Sequence, residues 1–204
     1  MKKMELLIKR FMDVLFAIIS LFILSPLFMI IAILIKSTSK GPVFYKQKRY
    51  GKDLKIIYPL KFRSMVVGAE NIGAGYYFEG EDDPRITAIG KFIRKTSIDE
   101  LPQLWNILKG DMSLIGPRPT IDQIHSKFNN EQLGRYRMRP GITGWAQVNG
   151  RNNISWSKRA YFDNWYIDHY SILLDIKIFL MTILVVIKKS NINMEQSQQD
   201  IDDL

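Results

Sequence analysis

From Phe11 to Ile35 every position is apolar except Asp13, Ser20 and Ser25, and no polar face interrupts the run. A helix apolar on all sides belongs in a protein core or in a membrane. At ~1.5 Å per residue the run forms a helix of roughly 37 Å, against a bilayer hydrocarbon core of ~30 Å. Ser25-Pro26 falls near its middle, where proline removes an intrahelical bond and bends the helix. Lys2, Lys3, Lys9 and Arg10 precede the run, and Lys36, Lys40, Lys46, Lys48 and Arg49 follow it. Positive charge on both flanks gives the positive-inside rule no preferred orientation. A helix that enters, kinks at Pro26 and leaves by the same face resolves this; on residues alone, re-entrant and spanning readings stay open, with a buried soluble helix as a third. The run is too long for a cleaved signal and no small-residue cleavage site follows it. Asp13, ionisable inside an apolar run, needs a partner, and Lys9 or Arg10, one turn earlier, is the expected one.

After position 36 the pattern breaks into short pieces. Turn signals at Gly41-Pro42 and Gly51 separate Val43–Tyr45 from Ile56–Tyr58, which predicts a small β-hairpin. Residues 68–85, rich in Gly, Asp and Glu, read as a mobile loop, and Ile89–Lys95 as an amphipathic helix. Leu101, Leu104, Trp105 and Leu108 share one helical face, closed by Gly110. Ser97 and Glu100 fit a capping box; with Asp99 as the cap instead, Pro102 falls in the first turn, where it is tolerated. Residues 126–136 read as a polar helix and Arg139–Trp145 as turn-rich. The aromatic run Tyr161–Tyr170 suits either an interfacial belt or ordinary packing. Ile172–Ile187 carries Asp175 and Lys177 and is short for a span, so it reads as a helix lying in the interface. The division is residues 1–36 as membrane helix, 37–190 as catalytic domain with interfacial helices, and 191–204 as a polar, disordered tail. The fold class is mainly α with a small β-hairpin.

The chain has 204 residues, enough for one domain with its own core, and carries +9, from 29 Lys and Arg against 20 Asp and Glu. That balance suits phospholipid headgroups, nucleotide phosphates or nucleic acid. Cysteine is absent, which excludes disulfides and thiolate metal sites, and His125 and His169 are the only histidines. A metal here would be a hard cation such as Mg²⁺ on oxygen ligands.

The acidic pair Asp99-Glu100 offers a carboxylate nucleophile, although acidic residues at a helix N-terminus are commonly caps. Arg118 stands in Gly116-Pro117-Arg118-Pro119, where Pro117 and Pro119 stiffen the backbone and present a guanidinium at little entropic cost. Guanidinium groups match phosphate oxygens bidentately; a structural salt bridge is the plain alternative. Lys61, Arg63, Arg85, Arg139 and Arg151 are further cations, each equally readable as solvated surface charge. No Walker loop, no strand–GxGxxG–helix unit and no zinc spacing occurs.

Taken in series, these runs resemble the bacterial sugar transferase family, the small monotopic phosphoglycosyl transferases. The matching stretches are Lys9–Asp13, Ser25-Pro26, Lys61–Met65, Asp83–Thr87, Ser97–Gln103, Lys109–Ser113, Gly116–Pro119 and Arg139–Arg151. The resemblance implies transfer of a sugar-1-phosphate from a UDP-sugar to a polyprenol phosphate, usually undecaprenyl phosphate, with UMP released. It implies attack by Asp99 and an aspartyl phosphosugar intermediate, with Mg²⁺ beside Asp99. Glu100 is a base or metal helper. Lys61, Arg63, Arg85, Pro117, Arg118, Pro119, Arg139 and Arg151 make up the substrate-binding set. It also implies a re-entrant helix kinked at Ser25-Pro26, both ends cytoplasmic, and a catalytic domain on the cytoplasmic face of the bacterial inner membrane. The expected partners are UDP-sugar, the lipid phosphate and the membrane, without nucleic acid; a homo-oligomer is left open. With no multi-span region ahead of the apolar run, the lean is toward the small members that use aminosugars. The rivals are a polyprenol-linked glycosyl transferase releasing UDP and a basic membrane-tethered binding module without enzymatic activity.

Overall fold

The apolar N-terminal segment forms one long helix, α1 (Lys3–Thr38), helical through Pro26. Proline cannot donate to the carbonyl of Phe22 four residues back, and the Ser25 hydroxyl fills that carbonyl instead at 2.8 Å. The computed structural model describes residues 3–73, 75, 80, 82–150 and 154–187. Arg151, the tail from 191 and part of the 68–85 loop lie outside the described residues.

Beyond α1 come β1 (Phe44–Lys46), β2 (Arg49–Tyr50), β3 (Ile56–Ile57), β4 (Leu60–Phe62), α2 (Ala88–Lys95), α3 (Leu104–Lys109), β5 (Ser113–Ile115) and α4 (Asp122–His125). They are followed by β6 (Gly141–Thr143), α5 (Trp145–Val148), α6 (Trp156–Asp168) and α7 (Ile172–Ile187). The fold is mostly helical with small sheets, as the sequence pattern predicts. The hairpin is longer than expected. Phe44 pairs with Phe62, Lys46 with Leu60, Arg49 with Ile57 and Tyr50 with Ile56. The paired numbers share one sum, so the two ladders are halves of a single antiparallel hairpin interrupted at Tyr58-Pro59. Pro59 has no N–H to give. The Asn106 side chain fills the gap, accepting from Leu60 N at 2.8 Å and donating to the Tyr58 carbonyl at 2.9 Å.

One face of α1 lies on the rest of the molecule from end to end. Leu6 packs on the cluster of Ile115, Tyr166, Tyr170 and Ile178. Ala17 sits with Ile57, Leu104 and Ile107, flanked by Phe16, Leu21 and Leu24. Ile31 and Ile35 sit with Phe62 and Ile93, flanked by Leu27, Phe28 and Ile98. The opposite face, including Phe11, Phe22, Ile23, Met29 and Ile33, is exposed. So are Leu173, Ile176, Leu180, Leu184 and Ile187, which share one side of α7. Of the aromatic run, Tyr166 and Tyr170 are core and Tyr161 is exposed.

Three expectations are corrected. Asp13 does not pair with Lys9 or Arg10: it accepts from Ser113 Oγ at 2.7 Å and Leu114 N at 3.0 Å, at the start of β5. Lys9 goes to Asp175 of α7 at 2.6 Å, and Arg10 to the carbonyls of Ile107 and Leu108 at 2.7 and 3.2 Å, at the end of α3. The face of α3 is also shifted. Residues 98–103 are 3₁₀, which turns in three residues, so Leu104 and Ile107 become the buried pair and Trp105 is exposed. Residues 126–136 are not one helix. Asn129 and Gln132 exchange side-chain-to-backbone bonds at 2.9 and 3.0 Å, which starts a fresh 3₁₀ turn at Gln132–Arg137. The parallel pairing of β5 with β6 is likewise absent from the sequence pattern, because three-residue strands carry no usable alternation.

Asp13→Ala leaves a buried hydroxyl and a buried N–H without an acceptor, a loss on the order of 1–3 kcal/mol for each unsatisfied group. The expected outcome is a fall of several degrees in Tm by thermal unfolding in detergent. An unchanged Tm would mean that water replaces the carboxylate.

Candidate active site

The chain leaves α2 through Thr96 and reverses at Ser97, whose φ of 57° is left-handed. That turn forbids the capping box: Ser97 makes no cap bond, and Glu100 points elsewhere. Asp99 and Glu100 fall in the first turn of the 3₁₀ segment, and Pro102 lies inside it.

Two neighbouring carboxylates meet opposite surroundings. Glu100 receives Lys61 Nζ at 2.6 Å and the Arg118 fork at 2.7 and 3.4 Å. Burial alone would raise its pKa, but Arg118 and Lys61 outweigh burial and hold it well below the usual carboxylate range. Asp99 is 9% exposed. Burial pushes its carboxyl up to about 6 against the pull of Lys61, and the negative Glu100 adds to the rise. No hydrogen bond from the described residues occupies it. The pair therefore joins a permanently ionised anchor to an open carboxylate that carries its charge only above mildly acidic pH.

Each partner is placed by the fold. Lys61 sits on β4 beside Phe62, and strand alternation sends Phe62 into the α1 core and Lys61 to the other side, facing Glu100. Arg118 rides on a loop held mainly through its carbonyls. Gly116 N donates to Thr143 O and Gly141 N to Pro117 O, both at 2.9 Å. Arg135 Nη2 donates to Arg118 O at 2.8 Å, and Tyr50 N to Thr120 O at 3.0 Å. Gly116 admits no side chain, since a Cβ there would stand 2.4 Å from the Arg139 carbonyl. Pro117 is buried, and Pro119 accepts from Arg49 Nη1 at 3.5 Å.

The structure places the remaining expected cations that it describes on backbone carbonyls elsewhere in the fold. Arg63 donates to the carbonyls of Lys40 and Ser39 at 2.5 and 3.0 Å, beyond the end of α1. Arg85 grips Asp83 at 2.9 and 2.6 Å and gathers the carbonyls of Ala69, Ile72 and Gly75. Arg139 is exposed and donates to Gly110 O at 2.9 Å. Two cations escaped the sequence reading. Arg94, in the last turn of α2, raises no more notice than any basic residue at a helix C-terminus. Its charge nevertheless acts on both Asp99 and Glu100, and burial lowers its own pKa. Arg49 acts on Lys61, and nothing in its local pattern marks it. Lys61, Arg94 and Arg118 thus act on the two carboxylates, a surplus of one positive charge when Asp99 is ionised, and Arg49 adds its charge beside Lys61. Such a balance favours an anion.

No group of three or more His, Asp or Glu side chains suited to a metal occurs among the described residues. Mg²⁺ does not need one: it binds through one or two carboxylates together with substrate phosphates and water. The Asp99 carboxylate, which accepts no hydrogen bond from the described residues, fits that donor set.

Residues 4–189 match the family model described as bacterial sugar transferase. The chain is 47% identical over 197 residues to the galactosyl transferase CpsE of Streptococcus agalactiae serotype III, covering 91% of this chain and 43% of that protein. To the uncharacterized sugar transferase EpsL of Bacillus subtilis it is 41% identical over 187 residues, 92% of this chain and 91% of that one. To the UDP-glucose:undecaprenyl-phosphate glucose-1-phosphate transferase of Escherichia coli K12 it is 42% identical over 190 residues, 87% and 39%. The chain thus spans about two fifths of the first and third relatives and nine tenths of the second.

A raised carboxyl pKa costs stability at neutral pH. Between about 3.8 and about 6 the folded Asp99 holds a proton that the unfolded chain has lost, so stability falls as pH rises through that window and stays lower above it. Asp99→Asn removes the cost. Its Tm gain over the parent, equivalent to on the order of 1–3 kcal/mol, should grow as pH rises through that window. A gain independent of pH would contradict the raised pKa.

Proposed function

The chain belongs to the bacterial sugar transferase family, and from that premise we propose that it moves a sugar-1-phosphate from a UDP-sugar to a polyprenol phosphate such as undecaprenyl phosphate, releasing UMP. The observation that carries this reading is the open, buried Asp99 carboxylate beside a Glu100 that anchors Lys61 and Arg118. The E. coli relative's name specifies a UDP-sugar donor, undecaprenyl phosphate and a sugar-1-phosphate.

The reaction runs in two displacements at one phosphorus. An Asp99 oxygen attacks the sugar-bearing phosphorus, the bridging P–O bond breaks, and its electron pair leaves with UMP. An oxygen of the lipid phosphate then attacks the same phosphorus and breaks the Asp99–phosphorus bond, which restores the carboxylate. A carboxylate approaching a charged diphosphate is repelled unless cations stand by, and fixed donors are most effective where transition-state charge develops. Lys61, Arg118 and Arg94 supply that charge, and Glu100 braces the first two in place. Mg²⁺ bound at Asp99 would neutralise charge on the diphosphate.

The packing supports a monotopic placement with α1 re-entrant. The rest of the protein touches α1 from Leu6 to Ile35, so the helix lies along the domain over its length. The exposed faces of α1 and α7 would rest in lipid, with the site at headgroup level on the cytoplasmic face of the inner membrane. A glycosyl transferase releasing UDP is the second reading, favoured by the name of the streptococcal relative.

With detergent-solubilised enzyme, Mg²⁺, undecaprenyl phosphate and a panel of UDP-sugars that includes galactose, glucose and N-acetylated aminosugars, the expected product is lipid-dependent UMP. UDP in its place would establish the second reading. Asp99→Asn should abolish turnover, and Arg118→Ala should lower the rate by an amount equivalent to ~2–4 kcal/mol, the scale for one preorganised donor. The rate should also fall as pH drops through about 6, where Asp99 gains its proton. A flat profile through that pH would count against Asp99 as the group that must be ionised.

A further inference from the structure

We propose that the buried pair Arg135–Asp163 is a positioning device for Arg118, through which helix α6 sets the geometry of the reactive dyad. The need for such a device follows from the loop's composition. Pro117 and Pro119 have no N–H, so the loop around Arg118 is gripped chiefly at its carbonyls. The carbonyl of Arg118 itself accepts from Arg135 Nη2 at 2.8 Å. That same nitrogen lies 2.6 Å from Asp163 Oδ2 on α6, an ion pair without hydrogen-bond geometry, since this oxygen accepts no hydrogen bond. Arg135 is 2% exposed and Asp163 1%. The guanidinium is walled by Phe128 and Trp156, with ring centroids 5.2 and 6.0 Å away.

Stability does not explain the pair. Removing two charges from water costs several kcal/mol per ion, and apolar residues of similar volume commonly fill such a site as well or better. Arg135 even keeps Nη1 buried without a hydrogen-bond partner. An apolar side chain cannot supply a donor to the Arg118 carbonyl while an acid on α6 holds the donor's charge. Lysine cannot copy it either, because its ammonium is a point charge on a flexible stem and lacks the rigid planar group that lies between Phe128 and Trp156. Arg118 thus has one end of its residue pinned by α6 while its side chain reaches Glu100 at 2.7 Å.

Arg135→Lys tests the device in two ways. The first is independent of any activity. Hydrogen exchange should quicken across Leu114–Ile121 and stay unchanged across α2, with the variant still folded by its melting profile. Unchanged exchange in that loop, or equal loosening of both segments, would overturn the proposal.

The second way rests on the proposed reaction and uses a double-mutant cycle with Arg118→Ala. Arg135→Lys should slow UMP release roughly tenfold in the parent, within the range that contacting residues show, and leave the residual rate of Arg118→Ala unchanged. An equal factor in both backgrounds, or none in either, would assign the pair to stability alone. Absence of UMP with the parent enzyme would remove the proposed function and leave the positioning role to stand or fall on hydrogen exchange. Asp163→Asn, which keeps the side chain's shape and removes its charge, should also quicken exchange across Leu114–Ile121 and leave α2 unchanged; unchanged exchange in that loop would remove Asp163 from the device and overturn the assignment of the pair.

Discussion

One face of α1 carries three charged side chains into the molecule, and each must find its counterpart on a different element. Lys9 reaches Asp175 of α7, Arg10 the last carbonyls of α3, and Asp13 the first donors of β5. An unpaired buried charge costs far more than a paired one, so these contacts fix how three elements sit on the helix. The parts of the candidate site inherit that placement. Ile98, next to Asp99, packs with Ile31 and Ile35 of α1, and Phe62, next to Lys61, packs in the same cluster. A helix suited to lipid therefore also serves as the floor of the site.

Above that floor the two adjacent carboxylates are driven apart electrostatically. Glu100 is saturated by Lys61 and Arg118 and stays ionised, while Asp99 is buried with its oxygens free and titrates near 6. Environments that separate the pKa values of neighbouring acids commonly mark a division of roles. In this account Glu100 holds cations and Asp99 reacts. The surplus positive charge matches a diphosphate donor and a phosphate acceptor alike, as the proposed reaction requires.

Much of this was legible in the sequence. The long apolar run, α2, the hairpin and the Gly110 stop follow from local pattern and turn chemistry. So do the acidic pair and the stiff Arg118. What escaped was long-range. Nothing near Asp13 points to Ser113, a hundred residues away. Arg94 and Arg49 look like surface charges until folding brings the first to the dyad and the second beside Lys61. Arg63 and Arg85 carry the same charge as Lys61 in sequence, yet they bind backbone carbonyls of the turns they organise. Charge can be counted from a sequence, but its convergence depends on tertiary pairing. The phase of α3 was missed for a local reason: a 3₁₀ entry shifts the register that a 3.6-residue period assumes.

The most direct test of the central claim is to look for the covalent intermediate itself. The enzyme would be mixed with its UDP-sugar donor and Mg²⁺ in the absence of lipid acceptor, quenched in acid and digested, and the peptide containing Asp99 weighed by mass spectrometry. The account predicts a gain equal to one sugar-phosphate on that peptide, accompanied by UMP, absent in Asp99→Asn and discharged when undecaprenyl phosphate is added. An enzyme that turns over with lipid yet never carries the adduct would contradict it, and would point to direct attack of the lipid phosphate on the donor.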